Sequence, residues 1–275
     1  MSRHLESLTL YRGWPDQGKH VWSPFVVKLE ARLRFAGVSY VTAAGSPKTA
    51  PKGKIPYVEY QNKQQSSAGA TTPAVVKMGD SGLITKYFVD DGVLPNLNAG
   101  LSPEDKVRDL ATRALLEDKL YFYHTRERWL DHYYAMRDHA LSAIPWPIRV
   151  VVGLLVYRSH KATLYGQGTL RLSDEEIRAS KREIWDSINS VLTSVRSKRS
   201  GTIEEPMGIT KTLPFWFLGG DAPTEVDAVI FGFIVSVLIC TAGPESKDIV
   251  AGYPVLLDYA GRIHDVYFPD YEKWP

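Results

Sequence analysis

The sequence predicts an α/β N-terminal domain joined to an all-α C-terminal domain. Three observations predict it. The first ninety or so residues run strand, helix, strand, strand, helix, with period-two and helical patterns in that order. A polar connector containing Pro and Gly follows, from Asp90 to Pro103. Beyond it, the long apolar patterns have helical spacing and several begin with capping signals. The expected domains are residues 1–92 and 101–275.

The N-terminal elements follow in order. Residues Leu8 to Tyr11 alternate enough for a first strand, and a Gly- and Pro-containing loop runs from Gly13 to Gly18. Ser23 stands where an N-cap belongs, Pro24 suits the first helical position and Gly37 suits the exit, so residues 24–36 form a helix. Its apolar face carries Phe25, Leu29, Leu33 and Ala36. Val38 to Val41 supplies a second strand, parallel to the first because a crossover helix separates them. Residues Ile55–Tyr60 and Ala74–Met78 form a hairpin around a long polar loop, Gln61 to Pro73. Gly79-Asp80-Ser81 then caps a helix through Ile84, Tyr87 and Phe88.

In the C-terminal half, Ser102-Pro103-Glu104-Asp105 starts a long helix that continues toward His139. Ser173-Asp174-Glu175-Glu176 is a capping box, and Thr224-Glu225-Val226-Asp227 is its acidic counterpart before the most apolar helix of the chain. The Val150–Val156 run reads as a buried core helix, Lys198 to Thr212 as an irregular loop, and the cluster Arg196, Lys198 and Arg199 as solvated loop residues.

Composition narrows the function classes. The 33 Lys and Arg residues against 31 Asp and Glu leave a net charge of +2, too small a field to argue for nucleic acid or an anionic membrane. The apolar runs fall short of the roughly 20 residues of a membrane span. The single Cys240, inside an apolar run, reads as a small buried hydrophobe and permits no intrachain disulfide. No secretory-type stretch opens the chain, and the expected location is cytoplasmic. His132 and His139 have no ligand company for a metal, so none is expected.

Two motifs carry chemistry. Ile55, held extended before Pro56, offers backbone N–H and C=O to a peptide, although a proline at a strand start is the plain alternative. Asp80-Ser81 at a helix start offers a carboxylate, a hydroxyl and free N–H groups to the charged end of an amino acid, although the same pair is also an ordinary cap.

With Ser23-Pro24-Phe25, Gly53-Lys54-Ile55-Pro56-Tyr57, Gly166-Gln167-Gly168 before Ser173, and Gly219-Gly220-Asp221-Ala222-Pro223-Thr224 leading to Asp227, the chain resembles the cytosolic glutathione S-transferase superfamily over almost its whole length. Within it the chain is most similar to the failed-axon-connections and metaxin-like branch and to fungal glutathione-transferase-like proteins. The resemblance implies a thioredoxin-like domain followed by a helical one, the glutathione transferase fold. It implies a cis Ile55-Pro56 bond with Ile55 pairing the cysteinyl part of glutathione. It assigns Asp80 and Ser81 to the γ-glutamyl end and makes Lys54 a candidate for the glycyl carboxylate, with a solvated lysine beside Lys52 as the alternative.

Ser23 is the catalytic candidate. Its hydroxyl at a helix N-terminus can stabilise a thiolate by a charge-assisted hydrogen bond worth roughly 1.5–3 kcal/mol. A plain N-cap predicts the same residue, and Tyr11 is the other hydroxyl in view. Trp14 and Trp22 flank the loop before the helix and either wall the site or pack. An acceptor pocket is expected between the domains, on the long helix, with Tyr121 and His124 among its candidates. The functions implied are transfer of glutathione to a small-molecule electrophile, glutathione-dependent cis-trans isomerisation of a conjugated alkene in fungal secondary metabolism, and a non-catalytic metaxin-like adaptor. The family resemblance also admits a homodimer.

Overall fold

Alternation places Leu8 and Leu10 of β1 (Leu5–Tyr11) on one buried face and leaves Thr9 and Tyr11 on the other. The computed structural model describes residues 5–62, 75–202 and 213–274. β1 is followed by α1 (Pro24–Phe35), β2 (Val41–Ala43), β3 (Tyr57–Asn62), β4 (Val75–Gly79) and α2 (Ser81–Asp90). The sheet order is β2-β1-β3-β4, with β2 parallel to β1 and the other pairs antiparallel. β2 begins at Val41, where the sequence suggested Val38; Val38 and Tyr40 instead pack at the edge of the core. The loop expected over Gln61 to Pro73 and its successor Ala74 lie, apart from Gln61 and Asn62, outside the described residues.

The helical domain begins with Ser102, whose hydroxyl accepts from Asp105 N at 3.1 Å. The long helix is present but interrupted. α3 (Pro103–Ala114) runs through a π-helical turn, Leu115–Leu120, into α4 (Tyr121–Arg126), and a second π turn, Glu127–Asp131, leads to α5 (Tyr133–Ala140). The helix breaks at His132, with φ −117° and ψ 42°. α6 (Trp146–Gln167) ends at Gly168, whose φ of 101° suits only glycine, and a 3₁₀ turn, Thr169–Arg171, follows. α7 (Asp174–Thr202), α8 (Glu225–Ile239), α9 (Pro244–Ala251) and α10 (Pro254–Tyr267) complete the chain. Both capping boxes form: Ser173 N donates to Glu176 at 2.7 Å, and Thr224 N to Asp227 at 2.7 Å.

Two expectations are overturned here. Residues 198–202 continue α7 instead of opening a loop, and Arg196, on that helix, pairs with Asp258 at 3.2 Å. The remainder of the expected loop, to Thr212, is outside the described residues up to its last position. The Val150–Val156 run is helical but not a core helix: Val151, Leu154 and Leu155 are exposed, and only Gly153 of the run is buried. Local hydrophobicity marked the helix correctly but could not say which faces had neighbours.

The domains meet along α1. Val27 and Ala31 pack into the helical core with Val229, Ile230 and Phe233, while Leu29 and Leu33 pack against the sheet and α2. The polar residues between them are buried too and are neutralised: Lys28 pairs with Glu117 and Arg32 with Glu225 at 2.7 Å across the interface, and Glu30 with Arg12 at 3.4 Å within the N-terminal domain. α1 crosses α8 at Gly232, where an added Cβ would stand 2.6 Å from the Pro24 carbonyl and 2.9 Å from Lys28 N. Among the described residues no single helix is long and apolar enough to cross a membrane; α8, the most apolar, is buried along nearly all its length.

Candidate functional site

The cradle forms where β3, α2 and the β1–α1 loop converge. The Ile55-Pro56 peptide is cis. β3 joins the ladder only from Tyr57, which faces Tyr11 on one side and Gly79 on the other. Half-buried Ile55 is therefore outside the ladder, and among the described residues its N–H and C=O make no hydrogen bond. Orphaned main-chain groups at such a position are uncommon and fit an extended peptide ligand. The Pro56 carbonyl accepts from Asp80 N at 3.4 Å, which brings the two motifs side by side.

Asp80 is the one non-glycine residue with positive φ among those described, at φ 82° and ψ 118°. A side chain is rarely held in this region, and such outliers concentrate at ligand sites. Its Oδ1 accepts from Gly82 N at 3.0 Å and Leu83 N at 3.1 Å, and its carbonyl accepts from Ile84 N at 2.9 Å. Asp80 thus satisfies most of the free donors of α2, leaving the hydroxyl and N–H of Ser81, itself buried, as the remaining anion-binding groups. Lys54 is exposed at the mouth of the same loop.

Ser23 caps α1, its Oγ accepting from Val26 N at 3.4 Å, a long bond that leaves the hydroxyl proton available. The turn before it is braced from the other domain: Arg128, buried, donates to the Trp22 carbonyl at 2.9 Å and to the Ser236 carbonyl at 3.1 Å. Arg128 is thus a positioning residue for the α1 N-terminus. Both carbonyls it meets are more than a hundred positions away, so no local pattern marked it.

A cavity of about 250 Å³ opens beside this turn, between the β1–α1 loop and the helical domain. Trp14, Trp22, His139 and Trp274 supply its flat walls, and Trp22 stacks on His139 with ring centroids 3.5 Å apart. His20 lies at its base with both ring nitrogens unpartnered, as is the indole N–H of Trp14. Burial, reinforced by His264, Arg12 and Arg34, pushes the His20 imidazole down to about 3, so it is neutral at physiological pH. His139 and Trp274 were not anticipated as wall residues. Their contacts depend on the α5 terminus and the chain's last segment folding back, a long-range event without a local signal.

The other expected pocket residues are placed elsewhere. Tyr11 stacks on Tyr57 at 4.3 Å and donates to Glu59 at 2.7 Å, a bond that helps push its phenol up to about 12 and commits the hydroxyl to the sheet. Tyr121 packs edge-on against Phe25, and His124 is buried near Phe233, its imidazole held well below the usual range by burial. Neither lines the cavity, because the part of the helical run that faces it is the far end, at His139.

Comparison with known proteins follows the same outline. The family model described as "Glutathione S-transferase N-terminal domain" matches residues 24–134, and that described as "Glutathione S-transferase, C-terminal domain" matches residues 214–263. Metaxin-2 of Mus musculus is 24% identical over 246 residues, which cover 86% of this chain and 78% of that protein. FzlA from C. crescentus has a TM-score of 0.54 at 13% identity, over 98% of this chain and 94% of that one. Glutathione transferase Omega 1C from Trametes versicolor has a TM-score of 0.51 at 13% identity, over 97% and 92%. At such identities the structural likeness is one of fold.

Proposed function

The chain belongs to the glutathione S-transferase superfamily, and on that premise we propose that it binds glutathione and uses the thiol on a small organic substrate. The observation that carries the reading is the unpaired main-chain edge of half-buried Ile55 beside the strained Asp80 helix start. Ile55 N–H and C=O would pair with the peptide portion of glutathione in strand fashion. Ser81 would receive the γ-glutamyl carboxylate and Asp80 its ammonium, while Lys54 would face the glycyl carboxylate. Bound glutathione supplies a thiol whose thiolate is a carbon nucleophile. Ser23, at the N-terminus of α1, would donate its hydroxyl proton to that sulfur, and the positive end of the helix favours the same charge. The Trp14, Trp22 and His139 walls would hold a flat acceptor.

Titration calorimetry with glutathione tests the binding, with a measurable heat at millimolar ligand as the expected outcome. A panel of enones, epoxides and aryl halides then separates the chemistries: an adduct reports transfer, a geometric isomer without adduct reports reversible addition, and binding without either reports an adaptor. Ser23→Ala is expected to lower turnover by roughly one to three orders of magnitude while glutathione binding persists. Unchanged turnover in that variant would return Ser23 to capping alone.

A further inference from the structure

Helix α6 carries its apolar residues on the side away from the core. Ile148, Val151 and Leu155 recur at helical spacing, and Arg158, Ala162 and Tyr165 continue the same stripe. Ile148 is 57% exposed, Val151 61% and Leu155 60%, and Trp146 at the helix start is 68% exposed. The opposite side is docked closely. A Cβ at Gly153 would come within 2.7 Å of the Tyr133 hydroxyl and of Arg137 Cδ, so α6 lies against α5 in a fixed rotation. The stripe cannot be turned inward without losing that contact.

The charge along the helix itself has one sign. Between His139 and Ser173 there is no Asp or Glu, although acidic residues are nearly as numerous as basic ones in the chain as a whole. Arg149 is used internally, donating to the carbonyls of Ile144 at 3.0 Å and Ser142 at 2.9 Å and lying 3.8 Å from Asp138 of α5. Arg158 and Lys161 are exposed and, among the described residues, have no acidic partner. The apolar half of the stripe thus leads into a basic half that ends at Tyr165.

We infer that α6 rests on the surface of a bilayer containing anionic phospholipid. The apolar turns would enter the headgroup boundary, Tyr165 would sit at its level, and Arg158 and Lys161 would meet the phosphates. The helix is too short in apolar residues to span, and its basic end favours an interfacial position over insertion. A second copy of the chain fits less well, because a self-facing contact would set Arg158 and Lys161 against themselves. The inference is independent of the glutathione site.

Flotation of the full chain with phosphatidylcholine vesicles, with and without about 30% phosphatidylserine, tests it. Binding is expected to the anionic vesicles and to fall about tenfold or more in 0.5 M NaCl, where the Debye length is shorter than a helix diameter. The double substitution Val151→Ser with Leu155→Ser, on exposed positions, is expected to abolish flotation, and Arg158→Glu with Lys161→Glu to abolish the preference for anionic lipid. Failure of the native chain to float with either vesicle overturns the inference. So does equal flotation of the variants, which would place the contact elsewhere. A native dimer that the serine variant converts to monomer, without vesicle binding, would give the surface to a second copy.

Discussion

Asp80 performs two tasks at one residue, and they can be separated. Its side chain caps α2 while its backbone holds a conformation that costs a non-glycine residue of order 1–3 kcal/mol. Asp80→Gly removes the strain and loses only a few tenths of a kcal/mol as a cap. The variant is expected to be as stable as the native chain or more so in urea, while its affinity for glutathione falls about tenfold or more with loss of the carboxylate. A variant that binds as well as the native chain would leave the strain without a ligand to explain it. His20 supplies a second case at this scale. Its folded-state value near 3 lies below the ordinary 6.5, so as pH falls from 6.5 toward 3 the unfolded chain takes up a proton that the folded one refuses. Stability therefore falls with pH across that window. His20→Phe keeps the ring among Phe231, Phe268 and Tyr271 and removes that proton. Urea unfolding is expected to show it gaining about 2 kcal/mol more at pH 5 than at pH 7; an equal gain at both pH values would mean that protonation is not involved.

At the scale of elements, the crossing of α1 and α8 controls the position of Ser23. Gly232 permits the contact because nothing larger fits between the Pro24 carbonyl and Lys28 N. Gly232→Ala forces the helices apart and is expected to cost about 2 kcal/mol in thermal or chemical unfolding, since the neighbour is backbone and cannot rotate away. An unchanged midpoint would show that the helices slide freely. The same helix shows what was readable in advance. Ser23, Pro24 and Gly37 delimit α1 in the sequence because capping and exit are local matters. Lys28, Glu30 and Arg32 are charged, yet all three are buried, because Glu117 and Glu225 arrive from the helical domain and Arg12 from the loop after β1. α6 is the converse: an apolar run suggested burial, and no neighbour covers its outer face among the described residues. The Ile55-Pro56 and Asp80-Ser81 motifs were legible because strand, proline and cap chemistry lie within a few residues. The Trp22–His139 stack was not, since it joins residues more than a hundred positions apart.

At the scale of the whole molecule, the last described segment completes the N-terminal domain. Arg34 lies over the Phe268 and Tyr271 rings and grips Asp270, while Lys19 bridges to Glu272. The Tyr271 hydroxyl donates to the fully buried Glu30 at 2.7 Å. Burial pushes the Glu30 carboxyl up, and Arg12 and Tyr271 oppose that push. Tyr271→Phe keeps the ring contacts and removes the donor, so it is expected to destabilise the chain by about 1.5–3 kcal/mol, with a larger effect at pH 7 than at pH 4, where Glu30 can bind a proton. Equal destabilisation at both pH values would point to packing instead. The hydrogen bond spans 241 positions of sequence. A ribosome adding roughly 5–20 residues per second needs some tens of seconds between making Glu30 and making Tyr271. Throughout that interval the nascent sheet half waits with an acid served by Arg12 and the longer bond from Tyr40 but not by Tyr271, so the first domain to be synthesised is among the last to be finished.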